Sequence, residues 1–276
     1  MAALPKTMSW TMWAMPRLAA AAALLACLLA GKPAHAGASC EERPLQPHNV
    51  VQAMDLALRT RDALDRSGAQ VALIARAGQD LSAYGLRYSH MAFAWRDHPQ
   101  GRWLVVHELN GCGTASSALY NEGLGNFFLD DMFLYEAQVV IPSASVQQRL
   151  AQVLATHTPR RLHQAQYNML AYAYGTRYQN SNQWLLETLA AASAAPGQVE
   201  NRGEAQAWLK AAGFTPIPVH LPALTRLGAR MFRANVAFDD HPFDQRMAGR
   251  IDTVTVDAVV RFVRRTDAGA SQFVVR

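Results

Sequence analysis

Residues 88–95, Tyr88-Ser89-His90-Met91-Ala92-Phe93-Ala94-Trp95, lead through Arg96-Asp97-His98-Pro99-Gln100-Gly101 into residues 102–109, Arg102-Trp103-Leu104-Val105-Val106-His107-Glu108-Leu109. Two short runs rich in aromatic and β-branched residues around a polar Pro/Gly turn predict an antiparallel hairpin. With a four-residue loop at residues 97–100, His90 faces His107 directly on one side of the sheet. One more loop residue would set Glu108 opposite His90 and turn His107 to the other face, because side chains alternate with a period of two.

Outward from this hairpin, helices and strands intermix. Residues 49–65 predict an amphipathic helix with Val50, Val51, Met54, Leu58 and Leu64 near one stripe, and residues 70–75 predict a strand. Residues 135–141 read as a further strand stopped by Pro142, and residues 145–156 as a helix burying Val146, Leu150, Val153 and Leu154. Trp184, Leu185, Leu189 and Ala192 recur at helical spacing, which predicts a helix over residues 180–194. Asn201 and Glu204 form a capping box for another helix that Gly213 closes. A Pro-rich loop, a strand over residues 251–256 and a last helix from Asp257 complete the chain. This order points to an α+β fold, a small antiparallel sheet packed against helices, and away from a doubly wound sheet.

The first 36 residues carry no acidic side chain, set Lys6 and Arg17 before an apolar run over residues 18–30, and end in Ala34-His35-Ala36. This is the layout of a signal peptide cleaved before Gly37, so the chain is expected to be periplasmic or secreted, with one domain over residues 37–276. The run is shorter than the ~20 apolar residues of a spanning helix, which leaves no membrane span after cleavage. A lipoprotein reading at Leu24-Leu25-Ala26-Cys27 is poorer, since the run continues past Cys27. Loss of Lys6, Arg17 and Lys32 lowers the formal charge from +5 to about +2. No Lys/Arg cluster with interleaved aromatics remains to track a phosphate backbone, so nucleic acid is not an expected partner, and overall charge gives no support for membrane-surface binding.

Two cysteines remain, Cys40 and Cys112, the latter in Asn110-Gly111-Cys112-Gly113. An even count in an oxidising compartment suggests one disulfide that pins the N-terminal arm. The alternatives are Cys112 as a reactive thiol on a Gly-rich turn, or two buried thiols that do not pair.

The chain has no G-x-S-x-G elbow, no H-E-x-x-H, no C-x-x-C and no glycine-rich phosphate loop, and no cofactor or metal is expected. His90 and His107, each in mid-strand, are individually compatible with core histidines. The second constellation is Tyr178-Gln179-Asn180-Ser181-Asn182-Gln183-Trp184, where a Tyr-rich segment (Tyr167, Tyr172, Tyr174) enters a helix. Ser181 in the first turn lies where free N–H groups and aligned dipoles stabilise negative charge. The plainer reading makes Asn180 or Ser181 an N-cap. The Asp239-Asp240-His241 and Asp244 cluster could offer oxygen ligands to a divalent cation, but reads more readily as a solvated turn.

A histidine in one strand, a second in the next strand and a Tyr-x-Asn-x pattern opening a helix resemble the circularly permuted papain-like superfamily, which includes NlpC-type peptidases and lecithin retinol acyltransferase relatives. The layout is also similar to a bacterial exported family of unknown function. The resemblance covers roughly residues 70–195 and leaves residues from about 200 as a C-terminal elaboration. It implies His90 as base, His107 as orienter and Ser181 as nucleophile, with Asn180, Tyr178 and Glu108 in support. It departs from the superfamily at the nucleophile, where Ser181 replaces cysteine. A serine hydroxyl is a far weaker nucleophile at neutral pH and needs an effective base and an oxyanion site. The expected activity is hydrolysis or acyl transfer at an amide, ester or thioester bond of an envelope peptide, lipid or acylated protein. The alternative is an inactive module that binds peptide or lipid in the same cleft.

Overall fold

Pro47 opens helix α1 (Pro47–Ser67), its fixed φ suiting a first helical turn, and Gly68 ends it in the left-handed conformation at φ 70°. The computed structural model describes residues 45–130 and 132–276, which lie within one compact unit, Ala38–Arg276. Cys40 and the expected signal peptide of the first 36 residues lie outside the described residues.

After α1 come β1 (Val71–Ala77), β2 (His90–His98), β3 (Gly101–Asn110), β4 (Ser117–Gly123), the short α2 (Leu124–Phe128) and β5 (Leu134–Ile141). Then follow α3 (Ala144–Leu154), α4 (Thr158–Arg161), α5 (Ser181–Ser193) and α6 (Arg202–Ala211). The C-terminal part holds β6 (Ile217–His220), α7 (Ala223–Phe232), α8 (Phe243–Met247), β7 (Arg250–Thr253), α9 (Val256–Thr266) and β8 (Ser271–Val275). The α+β reading holds: a six-stranded sheet in the order β4-β3-β2-β1-β5-β8, antiparallel throughout, with helices packed against it. Of the strand expected over 251–256, residues 251–253 lie in β7, which pairs separately with β6, and Val256 already opens α9 behind its N-cap Thr255.

The sheet separates two apolar layers. One face carries Val71, Leu73, Met91, Phe93 and Val106 against Leu150, Trp184, Leu185, Leu189, Val259 and Phe262 from α3, α5 and α9. The other carries Ile74, Ala92, Ala94, Val105 and Val139 against Ala53, Leu56, Leu64 and Phe127 from α1 and α2. The inward stripe of α1 is Ala53, Leu56, Ala57, Thr60 and Leu64, whereas Val51 and Leu58 of the expected stripe are exposed. Small Ala53 and Ala57 let the helix seat close to the alanine-rich sheet face, which rotates Val51 and Leu58 outward.

The hairpin departs from expectation in its loop. His98 pairs with Gly101, Asp97 with Arg102 and Phe93 with Val106, so only Pro99 and Gln100 form the turn. His98 stays in the ladder because its Nδ1 accepts the Gln100 N–H at 3.1 Å and its ring meets Trp95 at 4.9 Å. The pairing is displaced by two residues, so His90 and His107 are diagonal rather than directly opposed. A displacement of two preserves parity: both histidines keep the face of Ala92 and Val105, and Glu108 keeps the other.

Candidate functional site

The paired residues of the β2–β3 ladder end at Phe93 and Val106, short of His90. There the first turn of α5 meets β2, and Asn182 Oδ1 accepts the backbone N–H of Met91 at 2.9 Å. Asn182 Nδ2 donates to the carbonyls of Ser89 at 3.3 Å and Val254 at 3.4 Å, so one carboxamide brackets His90 on both sides along the backbone. Asn180 is the N-cap of α5: its Oδ1 accepts the Gln183 N–H at 2.8 Å, and its Nδ2 donates to Thr253 Oγ1 at 2.9 Å. Gln179 and Gln183 are likewise tied, to Leu162 O and Glu187 and to the carbonyls of Tyr172 and Ala173. Burying five consecutive polar residues is costly unless each finds partners, and these bonds fix the helix start in place.

On this frame Ser181 Oγ lies 3.0 Å from His90 Nδ1, and His90 Nε2 lies 2.9 Å from His107 Nδ1. His107 Nε2 lies 3.0 Å from Glu122 Oε1, though not in line for a hydrogen bond. Two proton arrangements satisfy the first two contacts, and the Glu122 carboxylate favours the one in which Ser181 donates to His90 Nδ1 and His90 Nε2–H donates to His107 Nδ1. His107 then keeps its own proton on Nε2, facing the Glu122 carboxylate. Phe127 packs against both rings, at 5.9 Å from His90 and 5.7 Å from His107. Arg76, the cross-strand partner of His90, lies over Phe127 and bonds Phe127 O and Asp130.

Burial, foremost, then the charge of Arg76 and the His107 ring hold the His90 pKa well below the usual histidine range. His90 is therefore a neutral imidazole able to accept a proton. Burial also lowers His107, against the opposing pull of Glu122. Tyr167 is buried, and burial pushes its pKa above the ordinary tyrosine range. That phenol stays protonated. The arrangement can activate a hydroxyl and present donors to a developing oxyanion. Ser181 keeps 6% of its surface and His90 8%, so only a narrow window opens on them.

Ser181, His90, His107 and Asn180 thus converge. Glu108 does not join them: it points to the opposite face, where its Oε1 accepts from Ser117 Oγ at 2.7 Å, and burial raises its pKa to about 8. Tyr178 also stands apart, its hydroxyl 3.5 Å from Asp239 Oδ2 and its ring under Arg177. Cys112 lies on the exposed turn between β3 and β4. In the acidic cluster, Asp239 pairs with Arg177, while Asp240 bonds His241 and the Tyr172 N–H. Among the described residues no group of three or more His, Cys, Asp or Glu gathers as metal ligands.

Glu122, Asn182 and Arg76 were not singled out from the sequence. Glu122 sits on an edge strand with no apolar alternation to reveal it. Asn182 and Arg76 did leave signals, one in an unbroken polar run before an apolar helix, the other as a lone charge in the apolar run Val71-Ala72-Leu73-Ile74-Ala75-Arg76-Ala77.

Fold and site together define a mixed α+β protein whose sheet and central-helix N-terminus converge on a buried Ser–His–His chain with a glutamate beside it. The chain belongs to the bacterial family described as "Uncharacterized protein conserved in bacteria (DUF2145)", which matches residues 63–263, a stretch that holds every residue of that site. No curated protein and no solved structure matches the chain. Among the described residues no helix is long and apolar enough to cross a membrane.

Proposed function

We propose that this protein is an exported hydrolase or acyltransferase of the permuted papain-like kind, with Ser181 as nucleophile, His90 as base and His107 as orienter. The observation that carries the reading is the 3.0 Å contact from Ser181 Oγ to His90 Nδ1, continued at 2.9 Å from His90 Nε2 to His107 Nδ1. As Ser181 Oγ attacks a carbonyl carbon, its proton passes to His90 Nδ1. The oxyanion forms beside the first-turn N–H groups of α5. His90 then returns the proton to the leaving amine, alcohol or thiol, and water or an acceptor nucleophile releases the acyl group from Ser181 by the reverse steps. General-base transfer of this kind contributes about 10²- to 10⁴-fold, and one oxyanion donor about 10²- to 10³-fold.

In this reading the first 36 residues are a cleaved signal, residues from about 200 elaborate a papain-like core over about 70–195, and Cys40 pairs with Cys112. The substrates that fit are envelope peptides, lipids or acylated proteins. The near-closure of Ser181 and His90 favours a second reading, an inactive papain-like module that binds such ligands without cutting them.

A fluorophosphonate probe separates the two. Labelling of the wild type that is lost in Ser181→Ala and in His90→Ala supports the enzyme. A folded wild type that stays unlabelled favours the binding module.

A further inference from the structure

We propose that α7 and α8 form a surface that docks the protein on anionic lipid headgroups. Five of the twelve exposed large apolar residues among the described residues fall within residues 224–247: Leu224, Leu227, Met231, Phe243 and Met247. Leu224, Leu227 and Met231 follow the i, i+3, i+7 spacing of one helical stripe. Leu224 is 83% exposed, and α7 seats on the cluster of Val219, Leu221, Val236, Phe238 and Ile251 through the small Ala229. The helix thus turns Ala229 inward and Leu224, Leu227 and Met231 outward. The end of α8 adjoins the start of α7, since the Leu221 N–H bonds Gly249 O at 2.8 Å, so both sets of apolar residues belong to neighbouring helix ends.

Charge selects the occupant. Arg226, Arg230 and Arg246 accompany the apolar residues, and Asp244 is the one carboxylate carried by either helix. The preceding carboxylates are engaged elsewhere, Asp239 with Arg177 and Asp240 with His241. A second copy meeting this face about a two-fold axis would bring the same arginines toward one another. The chain's own first 36 residues carry Lys6, Arg17 and Lys32 and no acid, so they match the patch no better. An interfacial helix with apolar residues on one face and arginines on its flank matches an anionic membrane surface in both respects. The overall charge of the chain conceals this local excess.

The test is flotation of the chain from residue 37 onward with vesicles of phosphatidylcholine alone and of phosphatidylcholine with about 30% phosphatidylglycerol. The expected result is binding at least about tenfold stronger to the phosphatidylglycerol vesicles, weakened by high salt. The Leu224→Ser/Leu227→Ser/Met231→Ser variant loses that binding with an unchanged circular dichroism spectrum, and Leu224→Ser alone, at the most exposed site, weakens it. Arg230→Glu reduces the preference for phosphatidylglycerol. A folded wild type with no preference for the anionic vesicles, or surface variants that bind as the wild type does, overturns the proposal. A wild type that self-associates through this stripe and becomes monomeric in the triple variant, without binding vesicles, assigns the surface to a second copy and overturns it equally. Flotation requires no turnover, so its outcome is independent of the catalytic reading.

Discussion

His90 and His107 meet nitrogen to nitrogen at 2.9 Å, two buried imidazoles with one proton between them. Protonating both would set two N–H groups against each other in a site from which water is largely excluded. Together with burial and Arg76, this keeps His90 neutral. Only neutral His90 can take the Ser181 proton, so the rate of fluorophosphonate labelling falls only as pH drops through the depressed His90 pKa. The expected plateau extends below pH 6.5, with its acid limb well under that value. A limb centred at or above 6.5 would show that His90 does not experience this environment.

Asn182 holds that geometry from outside the proton path. Asn182→Ala strands the Met91 N–H and removes a donor from the Ser89 carbonyl, a cost of about 1–3 kcal/mol for unsatisfied buried groups. Urea unfolding should show a loss of that size, together with slower labelling because His90 is no longer bracketed. Asn182→Asp keeps the acceptor but sets a carboxylate against the carbonyls of Ser89 and Val254, and is expected to destabilise more.

Glu122 acts on the far end of the chain. Its carboxylate favours the His107 tautomer whose Nε2 carries the proton and whose Nδ1 accepts from His90. Glu122→Gln is expected to slow labelling by about tenfold or more while the melting temperature changes little, since the residue lies on a partly exposed edge strand. Unchanged labelling in this variant would remove Glu122 from the site.

Glu108 makes a stability prediction of its own. Burial raises its folded pKa from an ordinary 4.5 to about 8, so the native state retains a proton that the unfolded chain gives up. Its contribution is fully present below pH 4.5 and is lost as pH rises through about 8. Thermal melts should show Glu108→Gln gaining on the wild type between pH 4.5 and about pH 8. A constant difference across that range would contradict the buried, protonated carboxyl.

Much of the fold was legible where local pattern and burial agree. The hairpin, β1, β5, α3, α5 and the capped α6 follow from periodicity, Pro142 and the Asn201 cap. The edge strands β4 and β8 were not legible, because β4 mixes small, polar and apolar residues without a period of two and β8 is only five residues long with its apolar residues consecutive. For the same reason Glu122 stayed hidden while His107 on the adjacent, buried strand did not. His90 and His107 still share one face of the sheet because the two-residue difference in loop length is even. The role of Asn182 does not show in the sequence because its partners, Met91 and Ser89, lie more than 90 residues away in the chain. The amphipathic α7 could not be recognised as a surface from the Pro-rich composition around it.

The central claim is that His90 is placed to withdraw the proton from the side chain at position 181. The Ser181→Cys variant makes that proton visible: the rate of iodoacetamide alkylation is measured against pH, in the His90 and in the His90→Ala backgrounds. The predicted result is a thiol that titrates well below the ordinary value of about 8.5 and returns toward it when His90 is removed. A thiol that titrates at or above about 8.5 in both backgrounds would contradict the claim and leave Ser181 a capped, buried residue of a binding module.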